Sequence, residues 1–124
     1  QYCMAIKSFN LRIIEDITKG NSVRIIDYIN LYIDETSREL NELGKYFEEK
    51  NWAGVERIAH KMKAAAGYMG IAKLQKLSSN IEKFVSSNDI DIEELSKQVR
   101  MAVKIFESVK IELIEEKKRL TNRK

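Results

Sequence analysis

Apolar residues recur at steps of three and four along most of the chain, the spacing that places side chains on one face of an α-helix. After Asn10, a residue type that often caps helices, this spacing predicts a short helix over residues 9–18. Lys19-Gly20-Asn21 predicts its end, because glycine readily takes the left-handed conformation that terminates helices. Ser22 can then cap a longer second helix, which runs from Val23 towards Lys50.

Three more helices are predicted after the second. Asn51 is a natural N-cap for the third helix, Gly70 closes it, and the fourth begins almost at once at Ile71. Asp91 can cap the last helix, which follows the polar break at residues 86–89. The third helix should bury the residues that share its apolar face, namely Val55, Ile58, Ala59, Met62, Ala66 and Met69.

The helices predict one all-α domain over residues 1–124. A chain of 124 residues that is 44% hydrophobic suits a single core, and the absence of proline favours helix. The tight connection at Gly70 makes the third and fourth helices antiparallel neighbours. We therefore expect an antiparallel up-and-down four-helix bundle over residues 22–114, with a short extra N-terminal helix. Over residues 115–124 charge replaces the apolar face, so we expect a frayed tail.

The charge, the cysteine content and the length of the apolar runs argue against a nucleic-acid binder, a disulfide-bonded protein and a membrane-spanning protein. The formal net charge is only +3, and basic and acidic residues are mixed, so no strong field for nucleic acid or membrane is indicated. Cys3 is the only cysteine, which fits a reducing compartment. No apolar run reaches the roughly 18 residues that a membrane span needs. The start at Gln1 suggests a piece of a longer protein.

The sequence lacks the residue patterns that most catalytic mechanisms need. There is no glycine-rich phosphate loop with lysine and serine, and no Gly-x-Ser-x-Gly turn. Paired histidines or cysteines that could hold zinc are also missing, so we expect no cofactor and no metal. Adjacent carboxylates such as Glu93-Glu94 diverge on a helix and fit solvated surface.

The single histidine, His60, points away from the predicted core. At about 100° per residue, its side chain lies about 160° from the centre of the third helix's apolar face. Ala64 and Gly67 fall within about 40° of it, and Lys63 lies three residues on, on the same side. A lone surface histidine is often inert, yet small neighbours and a nearby cation suit a nucleophile that meets a phosphoryl group on another protein.

The segment His60-Lys61-Met62-Lys63-Ala64-Ala65-Ala66-Gly67-Tyr68-Met69-Gly70 closely resembles the signature of histidine-containing phosphotransfer (HPt) domains, especially those that end hybrid sensor kinases. The residues before it, Ile58-Ala59, and after it, Leu74, Leu77 and Ile81-Glu82, also match. The resemblance covers most of the chain, but only the histidine segment is specific.

The resemblance implies a phosphorelay carrier of two-component signalling, neither a kinase nor an autonomous enzyme. His60 falls on the position that takes a phosphoryl group from a receiver-domain phosphoaspartate and passes it to another receiver aspartate. Lys63 falls on the lysine that offsets the phosphoryl charge. Glu82 falls on a position that can orient the imidazole, although its spacing also fits an ordinary surface carboxylate.

The resemblance also implies the partners and the contact surface. The partners are receiver domains of response regulators or of the parent hybrid kinase, and the location is cytoplasmic, including the cytoplasmic end of a membrane-anchored sensor kinase. No nucleic acid or direct membrane contact is expected, and the isolated domain should be monomeric. Ala64 departs from the family's usual glycine, which we expect to narrow partner tolerance. Further rim contacts would be Arg57, Lys61, Gly67, Tyr68 and Lys73, and the charged ones equally fit solvated surface.

Two other interpretations stay open from the sequence. The bundle could serve as a docking or dimerisation module that works without phosphorylation and leaves His60 idle. The basic residues near the C-terminus could instead contact nucleic acid, although interleaved aromatic residues are missing there.

Overall fold

The structure is a computed structural model that describes residues 7–123. Within that range it contains five α-helices and no strand, which confirms the all-α prediction. The second helix packs against the third and the fifth, and the fourth packs against the same two, so four helices close into a ring. The first helix lies against the second. The helices are α1 (Arg12–Thr18), α2 (Ser22–Glu48), α3 (Trp52–Tyr68), α4 (Ala72–Ser86) and α5 (Ile92–Thr121).

Three side chains cap the long helices. The Oδ1 atom of Asn51 accepts the backbone N–H of Gly54 at 3.0 Å, as the sequence predicted for α3. Asp91 begins α5 in the same way, with its Oδ1 atom 3.1 Å from the backbone nitrogen of Glu94. The cap of α2 is Asn21 and not the expected Ser22, which is already the first helical residue.

The first helix is shorter than predicted. It begins at Arg12 and not at residue 9, and its N-cap is Leu11 and not Asn10. The Oδ1 atom of Asn10 accepts the Arg12 backbone N–H, two residues on, which makes a turn before the helix. Phe9 and Leu11 are buried in this extended stretch, so their apolar character reflects burial and not helical periodicity.

The predicted frayed tail is wrong for residues 115–121, because α5 continues to Thr121. Leu120 is only 2% exposed and Glu116 only 7%, and both follow Leu113 on one helix face. Glu116 can occupy this buried face because Lys7 and Arg119 pair with its carboxylate. The hydrogen bond from Arg119 outweighs the opposing effect of burial, so the pKa of Glu116 is lowered.

A left-handed residue joins α3 to α4 and to the N-terminal segment. Gly70 has φ of +66°, and the preceding carbonyl of Met69 accepts the backbone N–H of Asn10 at 3.2 Å. A Cβ atom at Gly70 would lie 2.6 Å from the Asn10 nitrogen and closer still to its carbonyl oxygen. Only glycine therefore permits this approach.

The predicted apolar face of α3 is buried in full, from Val55 to Met69. The α2 stripe contains two residues that the pattern of aliphatic side chains did not mark, Tyr32 and Thr36. The ring of Tyr32 meets Phe106 of α5 edge-on, with 6.0 Å between the ring centroids. None of the described helices is both long enough and apolar enough to span a membrane.

Candidate functional site

The imidazole of His60 projects from the middle of α3 towards solvent. Its side chain is 66% exposed, whereas Ala59 before it and Met62 after it are buried in the core. Ala64, one turn further, is exposed, and Gly67 is half-buried on the same side. The buried face therefore fixes the helix while the small residues leave open space in front of the imidazole.

Glu82 of α4 holds the imidazole from one side. Its Oε2 atom lies 2.9 Å from the Nδ1 atom of His60. An ionised carboxylate only accepts hydrogen bonds, so Nδ1 must carry the proton. In a neutral imidazole this leaves the lone pair on Nε2, at the opposite edge of the ring.

Close packing of α3 and α4 brings Glu82 within reach. Ile81, the neighbour of Glu82, is fully buried, which directs the Glu82 side chain to the edge of the interface. Gly67 lies at the same interface, where a Cβ atom would be 3.0 Å from the Nε2 atom of Gln75. The absence of a side chain at Gly67 thus favours the short separation of the two helices.

The second oxygen of Glu82 pairs with Lys63. The Nζ atom of Lys63 lies 2.6 Å from Oε1 of Glu82, so one carboxylate contacts both His60 and Lys63 of α3. Burial opposes ionisation of Glu82, but the contacts with Lys63 and His60 outweigh it, and the pKa of Glu82 is lowered. Glu82 is therefore an anion across the neutral pH range.

A cleft of about 410 Å³ lies on the Glu82 side of His60, between α3 and α4. Within it, the hydroxyl of Ser86 lies 2.8 Å from Oε2 of Glu56 and 2.9 Å from the Glu82 carbonyl oxygen. No sequence motif marks Glu56 or Ser86, since they meet only when two helices pack. The cleft is lined by Glu56, Lys63, Ser79, Glu82, Lys83, Ser86 and Ser87.

The predicted rim residues fall in different places. The guanidinium group of Arg57 lies 5.3 Å from the centre of the Tyr46 ring, and its Nη2 atom donates to the Tyr46 hydroxyl at 2.9 Å. Lys61 and Tyr68 are exposed on α3. Lys73 lines another cleft, which lies between the start of α4 and the middle of α5. The structure does not bring Lys73 to His60, Lys63 and Glu82.

An apolar groove that the sequence interpretation missed runs along the Tyr68 side of α3. It has a volume of about 370 Å³ and includes exposed apolar side chains from three helices, Ile17, Leu31 and Tyr68. The helical pattern did not reveal it because Leu31 lies off the main stripe of α2. The remaining lining residues are Ile14, Tyr28, Tyr32, Glu35, Glu39, Ala65 and Met69.

Metal-binding groups are not assembled around His60. Across residues 7–123, no three histidine, cysteine, aspartate or glutamate side chains are grouped so that they could hold a metal ion. His60, Glu82 and Lys63 bring an imidazole, a carboxylate and an ammonium group into contact at the site.

The site thus consists of an outward imidazole on a helical bundle, held at Nδ1 by a carboxylate. The family model of the Hpt domain matches residues 27–116, and the chain belongs to this family. This confirms the resemblance seen in the His60 segment. The family identifies the protein as a phosphotransfer carrier of two-component signalling.

A solved structure shares the fold. The crystal structure of the HPT domain from an Hpt sensor hybrid histidine kinase of Shewanella matches with a TM-score of 0.73. The match covers 90% of this chain and 95% of that chain, at 14% sequence identity, so it supports the fold alone. A comparison with curated protein sequences found no significant match.

Proposed function

We propose that His60 is the phosphoryl-carrying residue. It accepts the phosphoryl group of a receiver-domain phosphoaspartate and passes the group to an aspartate of another receiver domain. The observation that carries this proposal is the hydrogen bond from Nδ1 of His60 to Glu82, because it leaves the Nε2 lone pair free at an exposed ring edge.

The bonds that form and break in the transfer involve only the imidazole of this chain. The Nε2 lone pair attacks phosphorus, the Nε2–P bond forms, and the bond from phosphorus to the aspartyl oxygen breaks. The electron pair of that bond stays on the receiver carboxylate. The imidazole becomes cationic and keeps its Nδ1 proton, which Glu82 continues to accept. The return transfer to a second receiver runs through the same atoms in reverse.

Lys63 and the small residues would assist the step in different ways. The Lys63 ammonium can offset charge on the phosphoryl group, since it lies on the His60 side of α3. Ala64 and Gly67 present little bulk, so a receiver aspartate can approach the imidazole. The methyl group of Ala64 would narrow the range of receivers that fit.

The receiver would dock over α3 and the neighbouring apolar groove. Arg57 and Lys61 provide positive charge beside His60, which suits the acidic phosphorylation pocket that the family's receivers carry. Tyr68 and Leu31 offer exposed apolar area on the groove side. Lys73 would take part only if the receiver's footprint extended past the end of α3.

The test is phosphoryl transfer from a receiver. The domain is incubated with a receiver that carries labelled phosphoaspartate, and acid-labile label on the domain is followed. We expect label on the wild type, none on His60→Gln, and none after incubation with ATP alone. Label on His60→Gln equal to that on the wild type would contradict the assignment.

A docking module without phosphorylation is the second candidate, because the apolar groove could bind a partner regardless of His60. Labelling of the wild type separates the two. Under the phosphorelay proposal label reaches the wild type and Leu31→Asp lowers the rate of transfer from the receiver, whereas under the docking proposal no label reaches the wild type at all. We place the relay in the cytoplasm, with the receiver in the same compartment and the domain acting as a monomer.

A further inference from the structure

Glu82 contacts two functional side chains through its two carboxylate oxygens. Oε2 meets Nδ1 of His60 at 2.9 Å, and Oε1 meets Nζ of Lys63 at 2.6 Å. The lysine expected to meet the phosphoryl group is therefore already paired with another anion before any phosphoryl group arrives. Pairing with Glu82 and pairing with the phosphoryl group both require the Lys63 ammonium group, which cannot occupy the two positions at once.

We propose that Lys63 changes partner in each transfer cycle, pairing with Glu82 while His60 is free and with the phosphoryl group while His60 is phosphorylated. This inference rests on the proposed function and adds a second role to Glu82. Besides orienting the imidazole, Glu82 pairs with Lys63 while His60 carries no phosphoryl group, and it competes with the phosphoryl group for this lysine.

The charges at the site favour the exchange. Before transfer, the anionic Glu82 is balanced by Lys63, and only a neutral imidazole has the lone pair that attacks phosphorus. After Nε2 forms its bond to phosphorus, the imidazole is a cation with its proton still on Nδ1, next to Oε2 of Glu82. The imidazolium thus replaces Lys63 as the counter-ion of Glu82, and Lys63 becomes available to a phosphoryl group that carries more negative charge than a carboxylate.

The placement of Lys63 permits the movement. Lys63 follows His60 by three residues on α3, so both side chains leave the same side of the helix. The Lys63 side chain is 33% exposed and its flexible stem ends at the open cleft, so no core packing has to change. Only rotation about side-chain bonds is needed.

The competition has a consequence for the relay. A lysine with no other partner would stabilise phosphohistidine more strongly than one that must first leave Glu82. The pairing of Lys63 with Glu82 therefore limits how strongly the phosphohistidine is stabilised. This suits a carrier that must release the phosphoryl group to a second receiver.

The experiment measures the effect of Lys63 on the phosphoryl group itself. The domain is phosphorylated with potassium phosphoramidate, and the ionisation of the phosphoryl group is followed by phosphorus NMR in a pH titration. Loss of the Nδ1 proton from the ring is followed separately by nitrogen NMR, so that the two ionisations are not confused. Four proteins are compared: wild type, Lys63→Gln, Glu82→Gln and the double variant. Because the donor is a small molecule, a failure of receiver transfer would leave this measurement intact.

Partner exchange predicts a Lys63 effect in both backgrounds, and a larger one where Glu82 no longer competes for the lysine. The substitution Lys63→Gln should raise the phosphoryl pKa by about half a unit in the wild type and by more when it is made together with Glu82→Gln. Lys83→Gln, which removes another lysine of the cleft, should give a smaller change. The proposal is overturned if Lys63→Gln changes nothing while Glu82 is present but raises the phosphoryl pKa in the Glu82→Gln background, since Lys63 would then remain on Glu82.

Discussion

Glu82 on α4 and His60 on α3 are 22 residues apart in sequence, and their side chains meet with 2.9 Å between Oε2 and Nδ1. The orientation of the imidazole therefore depends on how two helices pack. The same contact assigns the Nδ1 proton and leaves the lone pair of a neutral imidazole on Nε2. The Glu82 carboxylate thus connects the packing of α3 against α4 with the orientation of the imidazole at the surface.

Removing the carboxylate should slow phosphoryl transfer. In Glu82→Ala the ring loses its hydrogen-bond acceptor, and we expect the rate of labelling by a phosphorylated receiver to fall about tenfold, the equivalent of one hydrogen bond. Glu82→Gln keeps an oxygen that can accept from Nδ1 and should lose about twofold to threefold. Equal rates for Glu82→Ala and wild type would contradict an orienting role.

Added bulk in front of His60 should block the receiver but not the chemistry. Ala64→Leu places a large side chain one turn from the imidazole, on an exposed surface where folding is little affected. We expect labelling by a phosphorylated receiver to fall by about tenfold or more. Labelling by phosphoramidate should be unchanged, because that donor is small. Ala72→Leu, at an exposed position on α4, is the matched control and should label normally with both donors.

Alanine at Gly70 should destabilise the fold. The left-handed backbone costs about 1–2 kcal/mol for a residue with a Cβ atom, and at Gly70 that atom would also overlap the backbone of Asn10. We expect the free energy of unfolding in urea to fall by about 3 kcal/mol. Gly20→Ala separates the two effects, since Gly20 has φ of +74° with open space around it, and should cost only the backbone part.

The fold should lose stability in acid through its paired carboxylates. The backbone N–H and the hydroxyl of Ser8 donate to Glu112 and lower its pKa. Because the pKa is lower in the folded state, the stabilisation is complete above the ordinary glutamate pKa of about 4.3 and is lost as the pH falls through the folded value. The free energy of unfolding of Glu112→Gln should therefore fall less between neutral and acidic pH than that of wild type. Parallel curves for the two proteins would rule out this contribution.

The last two turns of α5 should contribute to stability. Leu120 is buried, so Leu120→Ala should lower the free energy of unfolding by about 2–4 kcal/mol through lost packing. Ile111 lies on the same helix but is 67% exposed, and Ile111→Ala should change the value by no more than about 0.5 kcal/mol. Denaturant unfolding measures both variants. An equal, small effect of the two would mean that the end of the helix is frayed after all.

Helical periodicity predicted most of the bundle because it depends on local geometry. The direction of His60 followed from counting residues along α3, and the caps at Asn51 and Asp91 needed only nearby backbone N–H groups. The pattern of apolar residues failed where a charged residue is buried and a side chain distant in sequence pairs with its charge. Glu116 is the clearest case, since Lys7, over a hundred residues earlier, joins the nearby Arg119 in pairing with it, and together they let a charge occupy a buried face.

By itself, the sequence determined the helical class, the outward direction of His60 and the family, because each depends on residues close together along the chain. Tertiary structure decided that Glu82 contacts both His60 and Lys63, that α5 continues to Thr121, and that an apolar groove flanks α3. These features depend on side chains that meet only when helices pack, and no local spacing encodes the distance between two helices.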